Sequence, residues 1–226
     1  MLSTIYHRLY RTFGPQHWWP ASSPFEVLVG AILTQQAAWS NVEIAIDNLK
    51  RHGELTPELI LNLQPDILKK DIRPSGYFNQ KAERLVHVVD EIEKNGGLEA
   101  FLERPTEEVR RDLLVIKGIG NETADSIMLY AGRHPVFVVD AYTFRLLGRI
   151  NPEKYGKIAE RRDYSAVQRL FLRAVENLKR EGVKGGDSVL IAREFHALIV
   201  ELGKRNCRKS RPLCNTCPLK DICLYS

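Results

Sequence analysis

Four cysteines close this chain: Cys207, Cys214, Cys217 and Cys223. None occurs in the 206 residues before them. Their spacing is C-x6-C-x2-C-x5-C. Thiolates are soft ligands, and four of them within 17 residues can hold one metal centre. Structural zinc usually draws on two close C-x2-C pairs, and here only one pair is that close. The wide first gap suits a cubane [4Fe–4S] cluster, in which each iron takes one thiolate. A zinc knot is the second reading, and free thiols or a disulfide the third. A secreted disulfide framework would spread its cysteines through the chain. Arg208, Lys209 and Arg211 lie between Cys207 and Cys214. A loop pinned at both ends presents those three cations together, which suits phosphates. Electron transfer is the other use of such a centre, and nothing else in the sequence points to a redox partner.

A second stretch with chemical potential is VIKGIGNETADS, residues 115–126. Gly118 and Gly120 allow a tight turn with exposed N–H groups, running from Lys117 through Ile119 into a helix pattern that begins near Glu122. Such N–H groups beside a helix N-terminus form an anion-binding concavity, in which a backbone phosphate fits without any base being read. A plain turn between two helices has the same pattern. About twenty residues on, VVDAYTFRLLGR places Asp140 after four apolar residues and at the start of a helix pattern. It is either an N-cap or a carboxylate held at the edge of a cleft.

The elements that must position these residues read as helices. Ala82, Leu85, Val86, Val89 and Ile92 recur at helical spacing. So do Val167, Leu170, Phe171, Ala174 and Leu178, and again Leu190, Ile191, Phe195, Leu198, Ile199 and Leu202. These are core stripes. PVFVV at 135–139 is the best strand signal. NPEKYGKIAERRD (151–163) reads as an exposed loop, and GVKGGD (182–187) as a turn with Asp187 or Ser188 capping the next helix. Thr106 is a candidate cap for the helix before the glycine turn. The expected class is all-α, with ten or more helices.

Composition sets the compartment and the partner. Hydrophobic residues make up 44% of the 226, and no apolar run approaches the roughly 20 residues that span a bilayer. The N-terminus lacks the cleavage site of a signal peptide, so a soluble, cytoplasmic protein without membrane contact is expected. Net charge is +5. Most of it lies in residues 201–226, where six basic side chains face two acidic ones. A basic pole of this kind suggests a polyanionic partner.

Together, FEVLVGAILTQQ (25–36), IRPSGYFNQKAERL (72–85), LLVIKGIGNETADSIMLYA (113–131), VFVVDAYTFRLLGR (136–149), HALIVELGKRNC (196–207) and the cysteine tail resemble the helix-hairpin-helix DNA glycosylases. The resemblance is to the endonuclease III-like branch with a [4Fe–4S] cluster, and it spans most of the chain. It implies two helical lobes, one at 24–133 with the hairpin and the other at 1–23 plus 134–226 with the cluster. Double-stranded DNA containing a damaged base would lie across the cleft between them, bound by a monomer.

The resemblance also assigns roles. Asp140 becomes the catalytic carboxylate, which stabilises a sugar with oxocarbenium character and orients water. Gln36 and Tyr77 fill the gap or wedge beside the flipped base. Bifunctional members carry a lysine two residues after the second hairpin glycine, whose amine forms a Schiff base. Here that position is Glu122, which implies a monofunctional enzyme that leaves the strand intact. GIGNETAD resembles the branch that excises 3-methyladenine and other alkylated purines. Trp18 and Trp19 in QHWWP, with Trp39, sit where that branch has aromatic residues, and aromatic faces attract a cationic methylated base. Glycosylases for uracil or mismatched bases also lack the lysine, and a non-catalytic DNA-binding member of the fold is a further alternative.

Overall fold

Helices form wherever the apolar spacing called for them, and the computed structural model, which describes residues 1–225, contains thirteen α-helices. Among the described residues there is no strand, and no helix is long and apolar enough to cross a membrane. Residues 19–134 make one unit. Residues 1–18 join those from 135 onward to make the other.

The unit 19–134 is built around α2 (Pro24–Leu33). The Ser23 hydroxyl accepts from the Glu26 N–H at 3.1 Å, and Pro24 occupies the first helical position, where its missing N–H costs nothing. Every residue from Phe25 to Leu33 is buried, so this helix must be enclosed on all sides. Three helices pack directly on it: α3 (Trp39–Lys50), α6 (Phe78–Lys94) and α9 (Asn121–Tyr130). The shorter α4 (Pro57–Asn62) and α5 (Pro65–Asp71) pack on α6, and both begin with proline. α7 (Leu98–Glu103) and α8 (Thr106–Val115) complete the unit. Thr106 is not the cap of α8. Pro105 holds that position, and the Thr106 hydroxyl instead meets His134 Nδ1 at 3.0 Å.

Most of the α6 stripe is buried as the spacing predicts, although Val86 is half-buried and Val88 is turned inward. The pattern gave no warning of Lys81, which is 1% exposed. Its ammonium donates to Leu33 O at 2.7 Å and Ser75 O at 2.6 Å, joining the end of α2 to the turn before α6. Lys81→Met leaves both carbonyls without that donor and should lower the unfolding free energy by about 2–4 kcal/mol, read by urea denaturation. Burial, with a smaller contribution from Arg84, pushes the Lys81 ammonium down to about 8 from 10.5. Between those values the unfolded chain holds more protons than the folded one, so this residue's contribution to stability rises with pH. The same substitution should flatten that part of the pH–stability curve.

The other unit centres on α13 (Ser188–Arg205), buried from Ile191 to Gly203 apart from a few polar positions; Leu190, expected in the core stripe, is exposed because it lies in the first turn, ahead of the buried run. Asp187 caps it, accepting from Val189 N at 2.8 Å and Leu190 N at 3.0 Å. Around it pack α1 (Leu2–Phe13), α10 (Ala141–Ile150) and α12 (Tyr164–Arg180). Phe137 stacks on Phe171 with centroids 4.6 Å apart, and Phe195 meets both edge-on, as does Tyr6 with Phe195.

Two sequence expectations fail in this unit. Residues 151–163 are not a loop: α11 (Pro152–Glu160) forms there, with Asn151 Oδ1 accepting from Lys154 N at 2.9 Å and Tyr155 buried. One buried aromatic and a good cap suffice for a short helix. Residues 135–139 take up no regular structure and pair with no strand among the described residues. Side chains of α12 bond their backbone instead: the Tyr164 hydroxyl accepts from Val139 N at 3.3 Å, and Gln168 Nε2 donates to Phe137 O at 2.8 Å.

Candidate active site and nucleic-acid interface

The glycine turn links α8 to α9 with a bond from Ile119 N to Ile116 O of 3.0 Å. Gly118 has φ +93°, and a Cβ there would overlap the Arg84 side chain, so the fold itself requires glycine. Gly120 is different. Its φ is −97°, and a Cβ would meet nothing within 4 Å. Its bare backbone answers no demand of the chain. Lys117, Gly118 and Gly120 are exposed, whereas Ile119 turns its side chain into the core.

The turn is braced by residues that the sequence reading missed. Gln35 Nε2 donates to Gly118 O at 3.1 Å and to Thr123 Oγ1 at 2.9 Å, and Arg84 Nη1 holds Gln35 Oε1 at 2.6 Å. Arg110 donates to the buried Asp125 at 2.9 Å and to Asn121 Oδ1 at 2.9 Å, fastening α8 to α9. Adjacency to Gln36 was the available signal for Gln35. Glu122 lies exposed in the first turn of α9, where a carboxylate complements the helix dipole.

Gln36 and Tyr77 belong to the same unit. Both are exposed, Tyr77 to 61%, and both have left-handed backbones, with φ +54° and +46°. Side chains at such φ cost of order 1–2 kcal/mol. Lys81 ties together the two segments, 33–36 and 75–77, that carry this strain. Trp19 lies against Gly30 of α2. Its ring meets Trp39 edge-on at 5.2 Å and Tyr130 at 5.2 Å, so the structure brings Trp39 to Trp19 and adds a third aromatic.

Trp18 falls in the other unit. Its ring lies 6.1 Å from that of His196, and Lys204 Nζ sits 5.0 Å from its centroid. Beside it in sequence space stands no carboxylate, but the same unit holds Asp140, buried at the N-terminus of α10 and closing a capping box. Its Oδ1 accepts from Thr143 N at 2.7 Å and Thr143 Oγ1 at 2.8 Å. Its Oδ2 is 3.7 Å from His196 Nε2. Burial pushes the Asp140 carboxyl up. The approach of His196, with the Thr143 bonds, outweighs it and holds the group below the usual carboxylate range. Asp140 is therefore the N-cap that one reading of its sequence gave, and its carboxylate is buried.

The tail is folded by polar contacts. Asn206 is buried and donates to Thr216 O and Oγ1, each at 3.2 Å, while its carbonyl accepts from Leu213 N at 2.8 Å. Arg145 Nε donates to Cys207 O at 2.7 Å. Arg149 reaches Cys207 Sγ at 3.4 Å, Arg208 O at 2.7 Å and Lys209 O at 3.0 Å. Arg208, Lys209 and Arg211 are exposed.

Among the described residues, no three His, Cys, Asp or Glu side chains are drawn tightly enough around one point to hold a single ion. The four thiols nevertheless lie within electrostatic reach of one another. Burial chiefly, and the other three thiols with it, push Cys217 up; burial, Cys207 and Cys214 push Cys223 up, although Arg149 acts the other way. Backbone N–H groups of Leu219 and Tyr225 serve Cys217 and Cys223. Four thiols of this kind, two of them with backbone N–H partners, form a donor set whose chemistry suits an iron–sulfur cluster.

Residues 29–175 match the family described as HhH-GPD superfamily base excision DNA repair protein. The chain is 44% identical to a provisionally assigned DNA repair glycosylase of Methanocaldococcus jannaschii, over 99% of this chain and 96% of that protein. It is 33% identical to endonuclease III of Haemophilus influenzae, over 90% and 85%. Among solved structures it is similar to the H. pylori 3-methyladenine DNA glycosylase bound to 1,N6-ethenoadenine. The TM-score is 0.77 at 31% identity, covering 90% of this chain and 97% of that one.

Proposed function

The chain belongs to the HhH-GPD superfamily of base excision DNA repair proteins and is a DNA glycosylase of that superfamily, and we propose that it hydrolyses the N-glycosidic bond of alkylated purines in double-stranded DNA without cutting the strand. The observation that carries this reading is a buried carboxylate held in its ionised form at Asp140, combined with a carboxylate, Glu122, where an amine would be needed for strand cleavage.

A base inside a duplex must be flipped out to react. As the C1′–N bond breaks, its electrons leave with the base, and positive charge grows on the sugar. An ionised Asp140 stabilises that charge and orients the water that bonds to C1′. Gln36 and Tyr77, exposed on strained backbone, suit the gap left by the base. Lys117, Gly118 and Gly120 offer backbone N–H groups to a phosphate, whereas the Ile119 N–H, which the sequence reading had included, is spent on Ile116 O at 3.0 Å. The bareness of Gly120, which the chain's own packing does not require, supports a close approach from outside.

The substrate class rests on the aromatic rings. A base methylated to 3-methyladenine or 7-methylguanine carries positive charge, and electron-rich faces attract it. Trp19, Trp39 and Tyr130 form such a group, and the similarity to a 3-methyladenine glycosylase supports the same class. A cationic leaving group is already labile, so a carboxylate without a nucleophilic amine suffices.

Cys207, Cys214, Cys217 and Cys223 would hold a [4Fe–4S] cluster. When bound, it supplies four thiolate bonds that fix the loop presenting Arg208, Lys209 and Arg211 to the DNA backbone.

Methylated duplex DNA provides the test. Free 3-methyladenine should appear, with nicks only after hot alkali. Intact methylated bases would reject the substrate and move the search to uracil and mismatched thymine. Nicks before alkali would reject the meaning given to Glu122.

A further inference from the structure

The two oxygens of Asp140 are held differently. Oδ1 accepts twice from Thr143, at 2.7 and 2.8 Å, which is ordinary capping chemistry. Oδ2 faces His196 Nε2 at 3.7 Å, across from another helix. His196 is buried in the middle of α13. Its ring stands edge-on to Phe137 with centroids 6.4 Å apart and lies 6.1 Å from Trp18, so aromatic walls limit its rotation. Capping the helix needs only Oδ1, and nothing in α13 requires a histidine for helix formation.

We propose that His196 is a positioning residue for Asp140: its ring, walled by Phe137 and Trp18, stands against the second carboxylate oxygen and keeps it turned in one direction. The proposal rests on the catalytic reading of Asp140. A carboxylate held in one orientation presents its charge to the reacting sugar in one geometry, and a small misplacement there costs rate rather than binding.

Other charged groups around α13 are engaged elsewhere. From 183–186, Lys184 pairs with Glu194 at 3.1 Å and lies over Tyr10 of α1. Tyr6 of α1 meets Phe195. Arg145 of α10 lies over Tyr142 and bonds Cys207 and Gly203. Glu176 of α12 meets Ser188. Lys204 of α13 itself lies over Trp18. Asp140 provides the charge at 3.7 Å.

The experiment compares His196→Gln and His196→Phe with the unaltered protein, reading kcat and KM on a base that the unaltered protein releases. Glutamine keeps a polar N–H group in that place and should stay within about threefold of the unaltered kcat. Phenylalanine should lower kcat about tenfold with KM unchanged, as expected for misplaced rather than lost chemistry. An unchanged kcat in His196→Phe overturns the proposal. A second reading needs no substrate: the Asp140 carboxyl, followed by carbon NMR, should titrate at higher pH in either variant. An unmoved midpoint also overturns it. A protein that releases no base at all would instead refute the function proposed above, while the carboxyl titration still tests the pair.

Discussion

Asp140→Asn is expected to lower base release by about 10²–10⁴-fold and to leave DNA affinity within about threefold. The argument has two halves. An amide cannot balance positive charge on the sugar or take a proton from water, so the chemical step loses its main electrostatic support. The fold loses little, because asparagine is as good an N-cap as aspartate and can still accept from Thr143 N. Single-turnover base release and equilibrium DNA binding, measured on the same preparation, separate the halves. Binding that falls together with activity would show that Asp140 holds the structure or the DNA and does no chemistry. Acid should act in the same direction. Because the Asp140 carboxyl is held below its ordinary 3.8, its contribution to stability is present above that value and is lost as pH falls through the folded-state value.

Cys217→Ala should have the second largest effect. Cys217 is half-buried, and the other three thiols all act upon it. Its loss should remove iron, and with it the visible absorbance of a cluster, and should release the loop from 207 to 214. Arg208, Lys209 and Arg211 would remain in the sequence but would no longer be presented together. If all three meet phosphates, the slope of log affinity against log salt should weaken by about 2–3, at roughly 0.9 per contact. Thermal stability should fall as well, since the energy of ligand binding is folding energy for a small closed loop. Metal analysis of the unaltered protein decides the cofactor directly: four irons support the cluster, and one zinc overturns it. An unchanged salt slope in Cys217→Ala would mean that the loop does not meet DNA.

What could be read beforehand was whatever depends on spacing. Helical stripes, the cysteine spacing, the glycine turn and the capped aspartate all follow local periodicity or local turn chemistry, and the fold and its family were legible from them. What escaped depends on contacts between distant residues. Lys81 looks like a surface lysine in NQKAERL, and only the approach of Leu33 and Ser75 makes it a buried fastener. Gln35 and Arg84 are 49 positions apart and meet only behind the glycine turn. His196 sits in an apolar helix, and its value appears only when Asp140 arrives beside it. The apolar run at 135–139 misled for the opposite reason. Its residue types suit a strand, but its partners are the side chains Tyr164 and Gln168. The polar run at 151–163 misled because one buried tyrosine and the Asn151 cap outweighed composition.

The pairing of residues 1–18 with those beyond 135 has a consequence for biogenesis. The ribosome delivers α1 first, yet its apolar face, Ile5, Tyr6 and Leu9, packs on α12 and α13, which emerge last. At synthesis rates of about 5–20 residues per second, that face waits some 10–40 s for its partners. The unit 19–134 can meanwhile fold as it emerges, from contacts made wholly within itself. Assembly is therefore expected to be ordered in time: the unit with the glycine turn comes first, and the unit with Asp140 closes only once α13 is available. A nascent chain halted before α13 would carry the glycine turn, while α1 and α10 would lack the helix they pack on and Asp140 would lack His196 beside it.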